Sequence, residues 1–292
     1  MDVWIDIYFI QLIHGLVYGM LIFLVASGLT IVFGMMGVLN IAHAGFYVLG
    51  AYITYSVTQY FGPEGFWLSF LIAPLVVGIL GVLIERFLLR KVHTKGHLAE
   101  LLLTFGLFFI FIELVLIKWG SNPLSVTIPG VLMGNIPFLG KTYPIYRLFI
   151  LGVSFLILIG MILLLTSTRI GIIIRAAVSD REMVDALGIN VPLIFMGVFG
   201  GGAALAAFSG LIAAPFLSIY AGMGFDILLD CFVVIVVGGL GSLPGAFIAS
   251  MMIGELHSFG IMWIPRLALV FEFLLLAAVL VIKPTGFFGA KQ

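Results

Sequence analysis

The sequence predicts an all-α fold: a polytopic transmembrane bundle of about eight or nine spans with broken helices. Three observations predict it. Charged residues make up 9% of the 292 residues, whereas a soluble domain carries about 25% to keep its surface wetted. The mean hydropathy is +1.32. Residues 7–63 contain no Asp, Glu, Lys or Arg, and one bilayer crossing takes about 20 residues, so this stretch alone crosses at least twice. The apolar runs are continuous, not alternating, and rich in Leu, Ile, Phe and Ala. That pattern argues against a membrane β-barrel.

The same counts exclude other classes. Thirteen basic residues offset thirteen acidic ones, which leaves no basic field for nucleic acid. Cys231 is the single cysteine, so neither an intramolecular disulfide nor a cysteine-based zinc site is expected. There is no G-x-x-x-x-G-K-[ST] phosphate loop, no H-E-x-x-H pair and no G-x-S-x-G elbow. No catalytic residue, cofactor or metal is therefore predicted. If transport is driven by ATP, the ATPase is on another chain.

In chain order the candidate spans are residues 9–35, 41–60, 66–85, 98–119, 147–167, 194–218, 226–242, 246–263 and 266–283. The opening MDVWIDIYF is acidic and lacks the basic region of a cleavable signal, so the first span is expected to be retained. The pairs 9–35/41–60 and 226–242/246–263 are poorly separated, and either member of a pair reads equally as a broken or re-entrant helix. Arg86, Arg90, Lys91, Lys95, Arg169, Arg175, Arg181, Lys283 and Lys291 fall on one side of this arrangement. Lys118, Lys141, Arg147 and Arg266 fall on the other. The positive-inside rule makes the first side cytoplasmic, with the C-terminus inside. The expected location is the inner (plasma) membrane, within a lipid bilayer.

Two loops stand out. Residues 120–146 are rich in Pro, Gly and Asn with apolar residues between them, which suits a lid or docking surface as well as a passive connector. Residues 168–193 form the second. Ser179 lies three residues before Glu182 in a capping-box spacing, Gly188 suits a helix stop, and Pro192 follows. A short helix over 180–187 is expected outside the bilayer, with Met183 and Leu187 on one face and Asp180, Arg181 and Asp185 around it. It suits docking into a partner's groove, or packing on its own bundle.

Glycines cluster. Gly200, Gly201, Gly202 and Gly210 lie among alanines and predict close helix packing. Two other clusters, residues 34–45 and 238–246, interrupt hydrophobic stretches with helix-weakening residues. Broken helix at membrane depth is tolerated only when buried in protein or lining a wet cavity, and paired breaks point to a transport path. The candidate pathway residues are Asn40, His43, Gly45, Gly238, Gly239, Gly241, Ser242 and Pro244. Gly50-Ala51-Tyr52-Ile53 weakly echoes Gly245-Ala246-Phe247-Ile248. Glu113, Asp230, Glu255 and Glu272 lie in or near spans, where a charge costs a few kcal/mol and a functional role competes with a buried polar bond. Glu113 has Lys118 as a potential partner.

The stretches SGLTIVFGMMGVLNIAHAGFYVLGAY (27–52), IRAAVSDREMVDALGIN (174–190), VVGGLGSLPGAFIA (236–249) and the tail KPTGFFG (283–289) resemble the LivH-type permease subunits of branched-chain amino acid ABC transporters. They lie in order and span nearly the whole chain. The resemblance implies one transmembrane permease domain over 1–292, with 168–193 as its cytoplasmic coupling loop. It implies a second, LivM-like permease subunit, two cytoplasmic ATP-binding subunits, an extracytoplasmic substrate-binding protein, and a branched-chain amino acid carried by alternating access. The residues mapped to ATPase coupling are Arg175, Asp180, Arg181, Glu182, Met183, Asp185, Leu187 and Gly188. His43 is followed by Ala44-Gly45, where many relatives have a Gly-Glu pair. Permeases of similar sequence carry urea or short amides, and a self-sufficient channel or ion-coupled carrier is the rival from another class.

Overall fold

The computed structural model describes residues 2–37, 39–138 and 141–289. The side chains of residues 2–6, 138, 141 and 181 lie outside that description, as do Val38 and Lys291, which was expected on the basic side. Among the described residues every regular element is a helix apart from one hairpin. In order it forms α1 (Asp2–Met36), α2 (Ala42–Phe61), α3 (Gly65–Ile84), α4 (Arg90–Val92), α5 (His97–Trp119), β1 (Asn135–Phe138), β2 (Lys141–Pro144), α6 (Ile145–Ser167), α7 (Arg169–Ser179), α8 (Arg181–Ala186), α9 (Val191–Ala213), α10 (Met223–Gly238), α11 (Leu243–Trp263) and α12 (Ala268–Ile282). A π-helical stretch, Glu85–Leu89, joins α3 to α4 without a break.

Seven described helical stretches are long and apolar enough to cross a membrane: Ile7–Met36, Gly65–Lys95, His97–Trp119, Ile145–Ser167, Val191–Ala213, Leu243–Trp263 and Pro265–Ile282. α2 and α10 are the two predicted segments that fall outside this set. α10 has 16 residues, about 24 Å at the helical rise, against a hydrocarbon core of about 30 Å. α2 has 20 residues but carries Tyr, Thr, Ser and Gln along its length. Both are among the most buried helices, so neighbouring protein takes the place of lipid over most of their surface, with Phe225, Leu229 and Phe232 of α10 left exposed.

Glycine sets the packing. Lipid tails are as apolar as leucine, so helices in a bilayer gain little from apolar burial and associate through close backbone contact. α1 runs antiparallel to α11, and a Cβ built on Gly254 would lie 2.3 Å from the Gly15 carbonyl oxygen. One on Gly19 would lie 2.7 Å from that of Ser250. On the other side of α1, Gly28 and Gly202 bring in α9. Gly210 then seats α9 on α2 at the Tyr47 carbonyl, and Gly200 and Gly81 seat it on α3. α1 is the hub: Val17 and the run Ile22–Ala26 are fully buried. The expected close packing of the 200–210 glycines holds for Gly200, Gly202 and Gly210, whereas Gly201 faces open space.

One end of the bundle collects both helix breaks, the α3–α5 turn, the α7–α8 loop and the tail. Arg90 pairs with Glu85 at 3.3 Å and donates to the Pro192 carbonyl at 3.1 Å, which ties α4 to the start of α9. His93 and Glu100 are also paired. We call this the basic end. At the opposite end Leu124 and Ile219 form a two-way backbone bridge, 2.8 Å in each direction. The Tyr146 hydroxyl donates to the Ile212 carbonyl at 2.7 Å, and Trp119 donates to Ser56 at 2.9 Å. The 120–146 loop carries the unpredicted β1–β2 hairpin, and its bridge anchors it to the 213–223 link. Lys118 lies over the Trp119 ring, 4.5 Å from its centroid, so the expected pairing with Glu113 is replaced by a cation–π contact.

A Gly254→Val substitution forces the α1–α11 crossing apart. It should cost about 1–3 kcal/mol and lower the melting temperature of the detergent-purified protein. Gly201→Ala, which meets nothing within 4 Å, should leave it unchanged.

Candidate functional site

The first break begins where α1 stops at Gly37, whose φ of +68° suits glycine. Backbone freed here is recovered by α5. Thr104 accepts from the Ile41 amide at 3.4 Å and itself donates to Leu101 O at 3.1 Å. His43 is 1% exposed, and its Nε2 lies 3.0 Å from the Val25 carbonyl. That bond makes it a tie between α2 and α1. Asn40 is equally buried, and both of its amide atoms lack a hydrogen-bond partner among the described residues. Gly45 lets Phe111 approach, since a Cβ there would sit 2.6 Å from its ring.

The second break lies between α10 and α11. Gly239 and Gly241 have φ of +100° and +78°, and the Ser242 hydroxyl caps α11 by accepting from Gly245 N at 3.2 Å. Pro244 occupies the first turn of α11, where its missing N–H removes no helical bond. Gly238 and Gly245 lie backbone on backbone. The tail completes the break: Phe287 N donates to Val237 O at 2.9 Å and Phe288 N to Gly238 O at 3.0 Å. These bonds occupy carbonyls that the end of α10 leaves open. The two breaks meet directly, because Gly34 and Gly241 are in backbone contact. The predicted pathway residues therefore gather around a closed junction at the basic end.

The open polar space lies elsewhere, deeper along α1 and α10. A cavity of about 240 Å³ is enclosed by α1, α2, α10, α11 and residues 217–220. Asp226 and Asp230, one helical turn apart on α10, both line it. Asp226 is at the exposed rim and Asp230 is 6% exposed. The Tyr18 hydroxyl donates to Asp230 Oδ2 at 2.8 Å, and the Tyr18 ring stacks on His257 at 4.3 Å. His257 Nδ1 lies 2.9 Å from Glu272 Oε1. Glu272, 2% exposed, also neighbours Asp230. At the rim Tyr220 donates to Asp226. That bond, then burial, holds the Tyr220 hydroxyl up at about 12, so it stays a donor at neutral pH.

Of the four acids singled out in the sequence, Asp230 and Glu272 thus share one cluster. Glu255 packs against Gly15 on the α1–α11 crossing, with both carboxylate oxygens buried and without a hydrogen-bond partner among the described residues. Glu113 is exposed on α5. The sequence reading missed Tyr18, Tyr47, Asp226 and His257 as chamber residues. The i, i+4 spacing of Asp226 and Asp230 was the available signal.

The 168–193 loop contains two helices, one more than expected. Thr168 caps α7, accepting from Gly171 N at 3.1 Å. Ser179 ends α7, and the cap of α8 is Asp180, whose Oδ1 accepts from Met183 N at 2.9 Å. The expected Ser179 cap moves on by one residue because a carboxylate is the better acceptor for an open helix N-terminus. Val184 is buried at 3% and fastens α8 to the bundle, while Met183 and Leu187 are 57% and 71% exposed. Arg175, Glu182 and Asp185 are exposed around them, and Gly188, at φ +81°, stops the helix. Arg181 opens α8, and its side chain lies outside the described residues.

Gly239→Ala places a methyl group against the Gly289 amide, 2.3 Å away, in a backbone region that costs a non-glycine residue about 1–2 kcal/mol. The tail should detach. Maleimide labelling of a Phe288→Cys reporter should then accelerate severalfold over the same reporter with Gly239 intact. Cys231 is 2% exposed and contributes little background.

Comparison with known proteins agrees along the chain. Residues 11–281 match the family described as "Branched-chain amino acid transport system / permease component". The high-affinity branched-chain amino acid transport system permease protein BraD of Pseudomonas aeruginosa is 31% identical over 299 residues, covering 98% of this chain and 97% of that one. Its counterpart LivH of Salmonella typhimurium is 28% identical over 301 residues, with the same coverage. The guanosine ABC transporter permease protein NupQ of Bacillus subtilis is 29% identical over 185 residues, 56% of each chain. No solved structure matches. With its all-α bundle of membrane-length helices and a match over nearly its whole length, the chain belongs to the branched-chain amino acid transport permease family.

Proposed function

We propose that this chain is the membrane-crossing permease subunit of an ATP-driven importer, and that it carries branched-chain amino acids by alternating access. The observation that carries this reading is the likeness to BraD over 98% of the chain. The chamber between α1, α2 and α10 is where the cargo rests, and the Gly34–Gly241 junction closes the path on the basic side. That side faces the cytoplasm, because eight of the twelve basic residues within the described segments belong to it, so the C-terminus is inside. A substrate-binding protein delivers cargo at the opposite face, and a second, LivM-like permease completes the path.

Energy enters through the α7–α8 loop. Its geometry supports docking: one apolar residue holds α8 to the bundle, and two others, Met183 and Leu187, face away from it. An exposed apolar pair ringed by Arg175, Asp180, Glu182 and Asp185 suits a groove on an ATP-binding subunit. ATP-driven closure of two such subunits moves α8. α7 touches α1 and α6, so the movement reaches the hub helix and the break at its end.

The test is affinity isolation from the native membrane, comparing wild type with a Met183→Asp/Leu187→Asp double variant. An ATP-binding subunit should accompany wild type and be depleted at least about tenfold with the variant, the effect of losing two anchors at the centre of an interface. Wild type isolated without any ATPase, under conditions that hold a known importer together, would refute the reading.

A further inference from the structure

We propose that the α1–α2–α10 chamber is an ammonium site: Asp230, with Asp226 at the rim, receives the α-ammonium group of an amino-acid cargo. This rests on the permease reading above and names what that site takes. The first argument is charge. Asp226 and Asp230 line the chamber, Asp226 at its exposed rim, and Glu272, 2% exposed, neighbours Asp230. No lysine or arginine lines the chamber among the described residues. Among the described residues His257, from α11, is the basic side chain that faces the cluster, and Glu272 pairs with it. α1 and α2 contribute Tyr18 and Tyr47 there, and α12 contributes Glu272 itself. Asp230 is withdrawn from water beside other carboxyl groups, and a cationic ligand supplies the counter-charge that the chamber wall does not.

The second argument is an unused polar group. Tyr47 is 4% exposed, lines the same cavity, and its hydroxyl has no hydrogen-bond partner among the described residues. The Tyr47 side chain opens on the chamber, so its hydroxyl is available to bind a zwitterion's ammonium or carboxylate. The third argument is the remaining wall. Leu21 and Ile22 share the wall with Tyr18 on α1, and Met223 and Ile227 share it with the two acids on α10. The cavity of about 240 Å³ equals the liquid volume of about eight waters. It therefore takes a small molecule with a cationic end and a branched aliphatic end. Urea and neutral amides have no positive group for the acids to hold, so the chamber favours amino acids over them.

The test uses the intact complex isolated from its membrane and reconstituted into vesicles, with ATP-driven uptake of radiolabelled L-leucine as the readout. Co-elution of the subunits verifies assembly of each variant. Asp230→Asn should lower uptake at least about tenfold, as expected when one partner of a buried charged contact is removed. Asp230→Glu should return it to within about threefold of wild type, because the charge is kept. Tyr47→Phe removes one oxygen, leaves packing intact and should raise the KM for leucine severalfold. It keeps the test decisive if Asp230→Asn does not assemble. Uptake within about twofold of wild type in both Asp230→Asn and Tyr47→Phe overturns the site. So does a loss that Asp230→Glu fails to recover while Tyr47→Phe transports normally, since that marks a structural role. A wild-type complex that hydrolyses ATP but moves no leucine sinks the permease reading itself, and this inference with it.

Discussion

Every backbone N–H and C=O at membrane depth must find a partner inside the protein, because lipid offers none. Continuous helices satisfy this automatically. A helix that stops partway does not, and this chain stops two of them at the same end. The rest of the architecture follows from how those stops are closed. Thr104 takes the loose amide after α1, and the tail returns to the last carbonyls of α10. The breaks are then pressed together, Gly34 on Gly241, so that each covers the other. Broken backbone is stable here only as a buried junction, and a buried junction between two helix ends is the kind of element that can have two arrangements.

Close glycine packing and the polar chamber are linked. α1 is held against α11 and α9 at backbone distance where Gly15, Gly19 and Gly28 face them. Tyr18 is where the helix turns a large polar side chain toward α10. α10 is too short to cross unaided, but it is walled by protein and carries two acids on one face. A carboxylate facing lipid would cost several kcal/mol. Facing Tyr18, Tyr220 and the His257–Glu272 pair, it has polar company. The bundle thus keeps acids at depth by surrounding the helix that bears them.

Much of this was legible beforehand. The spans, their order and the two breaks follow from hydropathy and from where glycine interrupts it. The α8 helix was readable from the Ser179–Glu182 capping-box spacing and Gly188, with the cap displaced by a single residue. α7 and the β1–β2 hairpin were not anticipated. α7 is an 11-residue helix that lies within a loop by hydropathy alone, and four-residue strands carry little periodic signal. His43 looked like a pathway residue because a polar group sits beside a break, yet its Nε2 is used within the bundle. Its neighbour one turn on, Tyr47, lines the chamber instead.

By itself the sequence determined the solvent of this protein and therefore its secondary structure: apolar runs of bilayer length must become helices, and glycine-rich interruptions must be buried. It also determined which end is basic, since charge count needs no coordinates. Only the tertiary structure decided which acids matter together. Tyr18, Asp230, His257 and Glu272 are separated by up to 254 positions, from Tyr18 to Glu272, and no local pattern relates them. They meet because antiparallel crossings at glycine fix the depth at which each helix presents its side chains.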